Sequence, residues 1–255
     1  MPSDPFHILN PDGASRWVIL CDHASNRVPD AVGGTLGLAP ADMARHIAFD
    51  PGTAGVVAGL AERLDAPAVL SDFSRLVIDP NRGEDDPTLL MKLYDGTIIP
   101  ANRHADAAER ERRLALFHRP YHAAVARLLA AREAPALCSV HSFTPQLRGR
   151  PPRPWHVGVL FVEADRRLSD PLIARLEAEG DICVGANEPY GGNLPGDSMD
   201  RHALSHGRPH VLIELRNDLI FDDAGQRRWA DRLAPMLDAA LEEAEDARDG
   251  RPDPP

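Results

Sequence analysis

His23 and His141 each close an apolar run. Trp17-Val18-Ile19-Leu20-Cys21 leads into Asp22-His23, and Leu137-Cys138-Ser139-Val140 leads into His141. A histidine at the carboxyl end of a buried strand points into the crevice where ligands of α/β sheets bind, and neutral imidazole is a good zinc ligand. Either one alone reads better as a hydrogen-bonded turn histidine; two in the same context can converge on one ion, which puts the metal reading level with it. Glu214 interrupts Val211-Leu212-Ile213 and Leu215. Burying a carboxylate there is costly unless it is paired or neutralised. It is either the ion-pair partner of Arg216 or another arginine, or a general base whose pKa is raised by an apolar setting.

Arg75 and Arg82 flank Val77-Ile78-Asp79, with Asn81 beside Arg82. One guanidinium could polarise a carbonyl and hold a developing oxyanion. The other could grip a carboxylate bidentately, with the Asn81 amide as an added donor. The plain alternative is two surface arginines paired with Asp79, Asp85 and Asp86. His118 and His122 are four residues apart and would share one face of an unbroken helix, which allows a second metal pair, although Pro120 lies between them. His122 reads better as a donor to substrate. His46, His202, His206 and His210 lack a supporting context and default to structural roles. Taken in chain order, two strand-end histidines, an arginine pair with an asparagine, and a late glutamate suit metal-assisted hydrolysis of an amide whose substrate carries a free carboxylate.

Composition narrows the field. The net charge of −11 argues against a broad nucleic-acid or anionic-membrane footprint, but a local arginine fork can still capture an anion. Lys92 is the only lysine among 28 basic residues. There is therefore no Gly-Lys-Ser/Thr phosphate loop, and a Schiff-base enzyme would have to use a lysine with no activating partner in view. Gly-x-Ser-x-Gly and a dinucleotide glycine fingerprint are both absent. Cys21, Cys138 and Cys183 share no Cys-x-x-Cys spacing and sit in apolar stretches, which predicts buried reduced thiols. No apolar run approaches the roughly 20 residues that span a bilayer, and the start lacks the pattern of a signal peptide, so a cytoplasmic location is expected.

The elements that must position these groups alternate in type. Strands are predicted at 17–21, 68–71, 76–78, 137–141, 157–162, 182–184 and 211–215, several of them continuously apolar, as in strands covered on both faces. Helical periodicity falls at 41–48, 53–64, 105–132, 170–179 and 224–247, with a kink or break expected at Pro120. The alternation predicts a mostly parallel mixed sheet between helices, a three-layer α/β sandwich forming one domain over 1–245. The Pro- and Arg-rich stretch 144–154 reads as a stiff basic loop, and 246–255 as a disordered tail.

At this point the motifs resemble those of the N-formylglutamate amidohydrolase family. The resemblance is carried by Asp22-His23-Ala24-Ser25-Asn26, Ser74-Arg75 through Asp79-Pro80-Asn81-Arg82, His141-Ser142-Phe143-Thr144-Pro145, Arg153-Pro154-Trp155, Asn187-Glu188-Pro189-Tyr190 and Ile213-Glu214-Leu215-Arg216. That family is similar to the zinc carboxypeptidases and aspartoacylases, which implies a zinc-carboxypeptidase-like fold and a cytoplasmic enzyme of histidine degradation. The resemblance implies a zinc ion on His23 and His141, with Asn26 at the position of the third ligand. Arg75 would stabilise the oxyanion and Glu214 activate water; Asn81 and Arg82, with Ser142, His122 and Arg216, would line the substrate. Asparagine is a poor zinc ligand beside a carboxylate, so Asp22 or Asp50 is the first candidate to complete the site. The expected partner is a small N-acyl amino acid, N-formylglutamate by resemblance, with neither nucleic acid nor membrane; nothing in the sequence sets an oligomeric state. Two alternatives stay open: a non-catalytic carboxylate-binding protein with a degenerate metal site, and a deacylase for another N-acyl amino acid or a peptidoglycan fragment.

Overall fold

The computed structural model describes residues 4–147 and 149–249. The apolar runs form strands where continuous burial requires them: β2 (Trp17–Cys21) and β3 (Ala68–Ser71) are buried along their whole length. So are β6 (Ala136–Phe143) and β7 (Val157–Leu160), and β9 (His210–Arg216) is buried up to its last residue. With β1 (Phe6–Leu9) and β8 (Val184–Ala186) they form one seven-stranded sheet in the order β1-β3-β2-β6-β9-β7-β8. β1 runs antiparallel to β3 and β7 antiparallel to β9; the remaining pairs are parallel. This is the mixed, mostly parallel sheet expected.

Helices cover both faces. On one, α2 (Thr53–Arg63), α5 (Ser169–Ala178) and α7 (Asp223–Asp249) close a core that includes Ile19, Val57, Leu60, Leu172, Ile213, Leu233 and Leu237. On the other, α4 (Arg119–Ala130) packs Tyr121, Ala124, Val125 and Leu129 against Val18, Leu20, Leu137 and Leu212. Adjacent strand residues such as Val18 and Ile19 thus face opposite layers, which is why these strands are apolar at every position.

Several expectations are corrected. The run 76–78 is not a strand: Leu76, Val77 and Ile78 turn inward to a separate small core with Leu36, Ile47, Phe73, Leu89 and Phe117. Burial made them apolar without strand pairing. The helix predicted over 41–48 is reduced to α1 (Pro40–Met43). The long pattern around Pro120 becomes α3 (Ala107–Arg113), a π-helical turn (Leu114–His118) and α4, with the proline in the first turn of α4. A widened turn is one way to absorb a residue that cannot donate to the helical ladder. The last helix runs on to Asp249, and the rest of the expected tail lies outside the described residues, as does Arg148 of the basic loop. Cys21 and Cys138 are buried free thiols, but Cys183 is exposed, because it precedes a short edge strand instead of lying within it. Short additions not expected from the sequence are β1, the hairpin of β4 (Leu93–Tyr94) and β5 (Thr97–Ile98), and α6 (Ser198–His202). No helix of the described residues is long and apolar enough to cross a membrane.

Candidate active site

The sheet register brings the chemistry together. His141 on β6 pairs directly with Glu214 on β9, and His23 follows the end of neighbouring β2. Asp50 enters from the loop before α2, where its backbone N–H donates to the His23 carbonyl at 2.9 Å. One oxygen of Asp50, Oδ2, is the meeting point. His141 Nδ1 lies 2.9 Å from it, His23 Nδ1 3.3 Å, and the Ser142 backbone N–H donates to it at 3.2 Å. The ligand atoms of His23, Asp50 and His141 all lie within 4.8 Å of one another, and all three residues are buried.

Each imidazole is held from behind by a second carboxylate. His23 Nε2–H donates to Asp79 Oδ1 at 2.7 Å, and His141 Nε2–H to Asp22 Oδ2 at 3.2 Å. With those nitrogens protonated, both Nδ1 atoms can offer lone pairs to a cation bound beside Asp50, the outer-shell arrangement that orients metal-binding histidines; without one, the 2.9 Å contact of His141 Nδ1 with Asp50 Oδ2 needs a proton on Nδ1. Asp22 is itself fixed by hydroxyls of Tyr121, Ser139 and Ser198. Asp79 accepts from Arg75 Nε and Nη2 at 3.1 and 2.8 Å. Burial pushes the Asp22, Asp50 and Asp79 carboxyls up, but hydrogen bonds and charge from His23, His141 and Arg75 hold all three below the usual range, so they are ionised.

The charges of this cluster do not close without a cation. Three buried carboxylates stand against one guanidinium, which leaves two negative charges uncompensated when the imidazoles are neutral. A proton can supply part of the deficit: despite burial, Asp22 and Asp50 push the His141 imidazolium well above the ordinary histidine range. A divalent ion on two imidazole nitrogens and a carboxylate oxygen would supply all of it, and that donor set suits zinc. The residues therefore fit a metal centre.

The centre opens into a cleft of about 300 Å³, lined by Arg75, Asn81, Arg82, Ser142 and Glu214 together with the cluster residues. Glu214 is 7% exposed, and its Oε2 has no hydrogen-bond partner. Burial raises its pKa to about 7, offset in part by the His141 charge. Arg75 spends Nε and Nη2 on Asp79 and keeps Nη1 3.5 Å from Asp50. Arg82 makes no direct ion pair among the described residues, although its charge helps keep Asp79 ionised; its Nε donates to Thr88 and its Nη1 to the Asn81 carbonyl. The Asn187-Glu188-Pro189-Tyr190 segment lies over the sheet here, and Tyr190 reaches the cleft. Gly158, paired with Glu214, makes room for it: a Cβ at that position would come within 2.0 Å of the Glu188 carbonyl.

Three residues expected at the site lie elsewhere. The Asn26 amide donates to the Met43 carbonyl at 2.9 Å, and Asn26 is not among the residues lining the cleft. The oxygen that joins the two histidines is that of Asp50. His122 is buried, 3.0 Å from the Pro80 carbonyl and 2.8 Å from His202, behind the cleft wall. It forms no metal pair with His118, whose Nε2 meets the Arg82 carbonyl at 3.0 Å. Arg216 pairs with Asp218 and the carbonyls of Arg153 and Trp155, so it ties the end of β9 to the segment before β7, and it is not among the residues lining the cleft. Ion pairing of Glu214 with Arg216 is thereby excluded. Asp79, buried behind His23 and Arg75, and Asp197, on the cleft wall, are further carboxylates that spacing alone did not mark. Asp79 had a signal in Val77-Ile78-Asp79, a carboxylate closing an apolar run. Asp197 caps α6, and burial lifts its pKa to about 6.

With this geometry in hand, known proteins give context. The family model for N-formylglutamate amidohydrolase matches residues 15–221. The N-formylglutamate deformylase of Pseudomonas aeruginosa is 30% identical over 206 residues, covering 72% of this chain and 75% of its own. The crystal structure of a gene product of Agrobacterium tumefaciens, 33% identical, superposes with a TM-score of 0.89 over 95% of this chain and 97% of that one. The crystal structure of the N-formylglutamate amidohydrolase of Ralstonia eutropha shares the fold at 21% identity, with a TM-score of 0.72 over 97% of this chain and all of that one. The matched span contains every residue of the cluster, and the chain belongs to the N-formylglutamate amidohydrolase family, hydrolases of carbon–nitrogen bonds other than peptide bonds.

Proposed function

We propose that the chain hydrolyses the amide of a small N-acyl amino acid, N-formylglutamate foremost, giving formate and glutamate, with a zinc ion held by His23, Asp50 and His141. The observation that carries this reading is Glu214, a buried carboxylate with an unpartnered oxygen that faces the same cleft as the converging donors. When bound, zinc supplies Lewis acidity and brings the pKa of a coordinated water to about 7 in favourable sites. The reading is supported by the family and by the P. aeruginosa relative, whose name specifies that substrate.

The chain's own groups divide the work. Arg82, which makes no direct ion pair among the described residues, and the Asn81 amide take the substrate carboxylate and set the distance of the amide from the metal centre. Arg75 Nη1 faces the carbonyl oxygen and stabilises the negative charge that develops on it. Glu214 takes a proton from the attacking water and returns it to the leaving nitrogen as the carbon–nitrogen bond breaks. The net result adds one water across the amide. The alternative of a degenerate metal site rested on Asn26; Asp50 beside His23 and His141 supports an intact donor set instead.

Arg82→Ala tests the assignment of the carboxylate. N-formyl-L-glutamate is expected to lose on the order of 100-fold in kcat/KM, the weight of a charge-assisted pair, while its α-amide loses less than about 3-fold. Equal losses for both substrates would remove Arg82 from carboxylate recognition.

A further inference from the structure

The segment Pro80-Asn81-Arg82 is held along its backbone from the side opposite the cleft. The Pro80 carbonyl accepts from His122 Nε2 at 3.0 Å, and the Arg82 carbonyl from His118 Nε2 at 3.0 Å. Between them the Asn81 carbonyl accepts from Arg82 Nη1 at 2.7 Å, and the Asn81 N–H donates to Asp79 at 2.9 Å. The Asn81 side-chain oxygen also accepts from the Ser198 N–H at 3.1 Å.

A carbonyl can only accept, so both histidines carry their proton on Nε2. That fixes the rest of the chain: His122 Nδ1 is a bare lone pair and accepts from His202 Nε2–H at 2.8 Å. His118 Nδ1 is likewise bare, and it is buried with no partner. The rings of His118 and His122 lie 4.4 Å apart, and His118, His122 and His202 are 0%, 4% and 4% exposed. Burial lowers the pKa of all three, which matches three neutral rings.

We propose that His118 and His122 are positioning residues. As a neutral pair behind the cleft wall they fix the backbone on either side of Asn81, so that Asn81 and Arg82 meet the substrate carboxylate preformed. This rests on the reading that Asn81 and Arg82 bind that carboxylate. Neither histidine touches the cleft, so their effect runs through the segment alone. Preorganisation of this kind acts on binding more than on the bond-breaking step.

The test compares His122→Ala with His122→Gln, whose amide can place an N–H donor near the position of Nε2. KM and kcat are measured with N-formyl-L-glutamate, and the Kd of L-glutamate by calorimetry, on zinc-loaded protein with its metal content checked. His122→Ala is expected to raise KM and Kd roughly tenfold, the weight of one hydrogen bond, with kcat within about threefold and zinc retained. His122→Gln is expected to recover most of that loss. Unchanged KM and Kd in the alanine variant would overturn the proposal. So would a glutamine variant no better than alanine, or a loss confined to kcat. If His122→Ala does not fold, His118→Ala and His118→Gln make the same comparison through the Arg82 carbonyl. Backbone hydrogen exchange over residues 81–83 needs no substrate. Faster exchange in the alanine variant but not the glutamine variant supports the proposal even if wild-type protein leaves N-formylglutamate intact, and that inactivity would count against the proposed substrate alone. Unchanged exchange in both variants would overturn the positioning role.

Discussion

Replacing Glu214 by glutamine is expected to lower kcat by about 100-fold or more while fold and zinc content are unchanged, the loss typical of a missing general base. Glutamine keeps the shape of the side chain on β9 and its place beside His141, but its amide cannot take a proton from water. The carboxylate suits the task because burial holds its pKa at about 7, where it is basic enough to accept a proton and still able to give it back. A cation bound beside it would pull that value down, so the acid limb of kcat/KM should fall between the ordinary 4.5 of a glutamate and about 7. In Glu214→Gln that limb should vanish.

The same shift has a stability consequence with a definite sign. The folded pKa lies above the unfolded one, so in metal-free protein the charged form costs stability as pH rises from 4.5 through about 7. Metal-free Glu214→Gln should therefore melt at a higher Tm than wild type at pH 8, and the gain should shrink toward pH 4. Near-normal turnover, or an unchanged acid limb, would take the base role away from Glu214.

The second large effect belongs to Asp50. Its Oδ2 receives His141, His23 and the Ser142 N–H at once, and it is the only carboxylate that joins both Nδ1 atoms among the described residues. Asp50→Asn replaces an anionic oxygen with a neutral amide of the same size, and its NH2 end then faces either the Ser142 N–H or the Arg75 guanidinium, donor against donor. Zinc affinity is expected to fall by more than about 100-fold, beyond the 10–100-fold typical of outer-shell partners, and turnover should fall with it. Asn26→Ala is the matched control, because that amide only ties the loop to Met43. It should leave zinc content and kcat/KM within about twofold of wild type, as surface changes away from special contacts do. An Asn26 variant that loses zinc while Asp50→Asn retains it would reverse the assignment.

Much of the fold was legible because burial writes a plain pattern. The strands at 17–21 and 68–71 and the helix from Thr53 match their apolar runs end for end or nearly so. His23, His141 and Glu214 were legible for the same reason: each polar group stands at or inside a run whose neighbours are buried on both faces. The same pattern misled at 76–78, where the apolar residues feed a side core and pair with no strand. It misled again at Cys183, where the strand begins one residue later.

What the sequence could not supply was convergence. Asp50 comes from a loop 27 residues after His23 and meets His141 across 91 residues, and no spacing rule links them. Its only local mark is a carboxylate closing Ile47-Ala48-Phe49, the same mark that Asp79 carries after Val77-Ile78. His122 and Arg216 were placed by neighbourhood in the chain, and each donates to backbone: His122 to the segment under Asn81, Arg216 to the segment before β7. Whether a polar side chain faces a ligand or a carbonyl depends on which side of a wall it stands, and that is fixed only by packing.

The central claim is that a cation at His23, Asp50 and His141 and the carboxylate of Glu214 act on one amide. The most direct measurement is zinc stoichiometry taken together with hydrolysis of N-formyl-L-glutamate, before and after chelation and after zinc is returned. Close to one zinc per chain is expected, with loss of turnover on chelation and its recovery in proportion to zinc restored. Undiminished turnover by protein stripped of metal would contradict it.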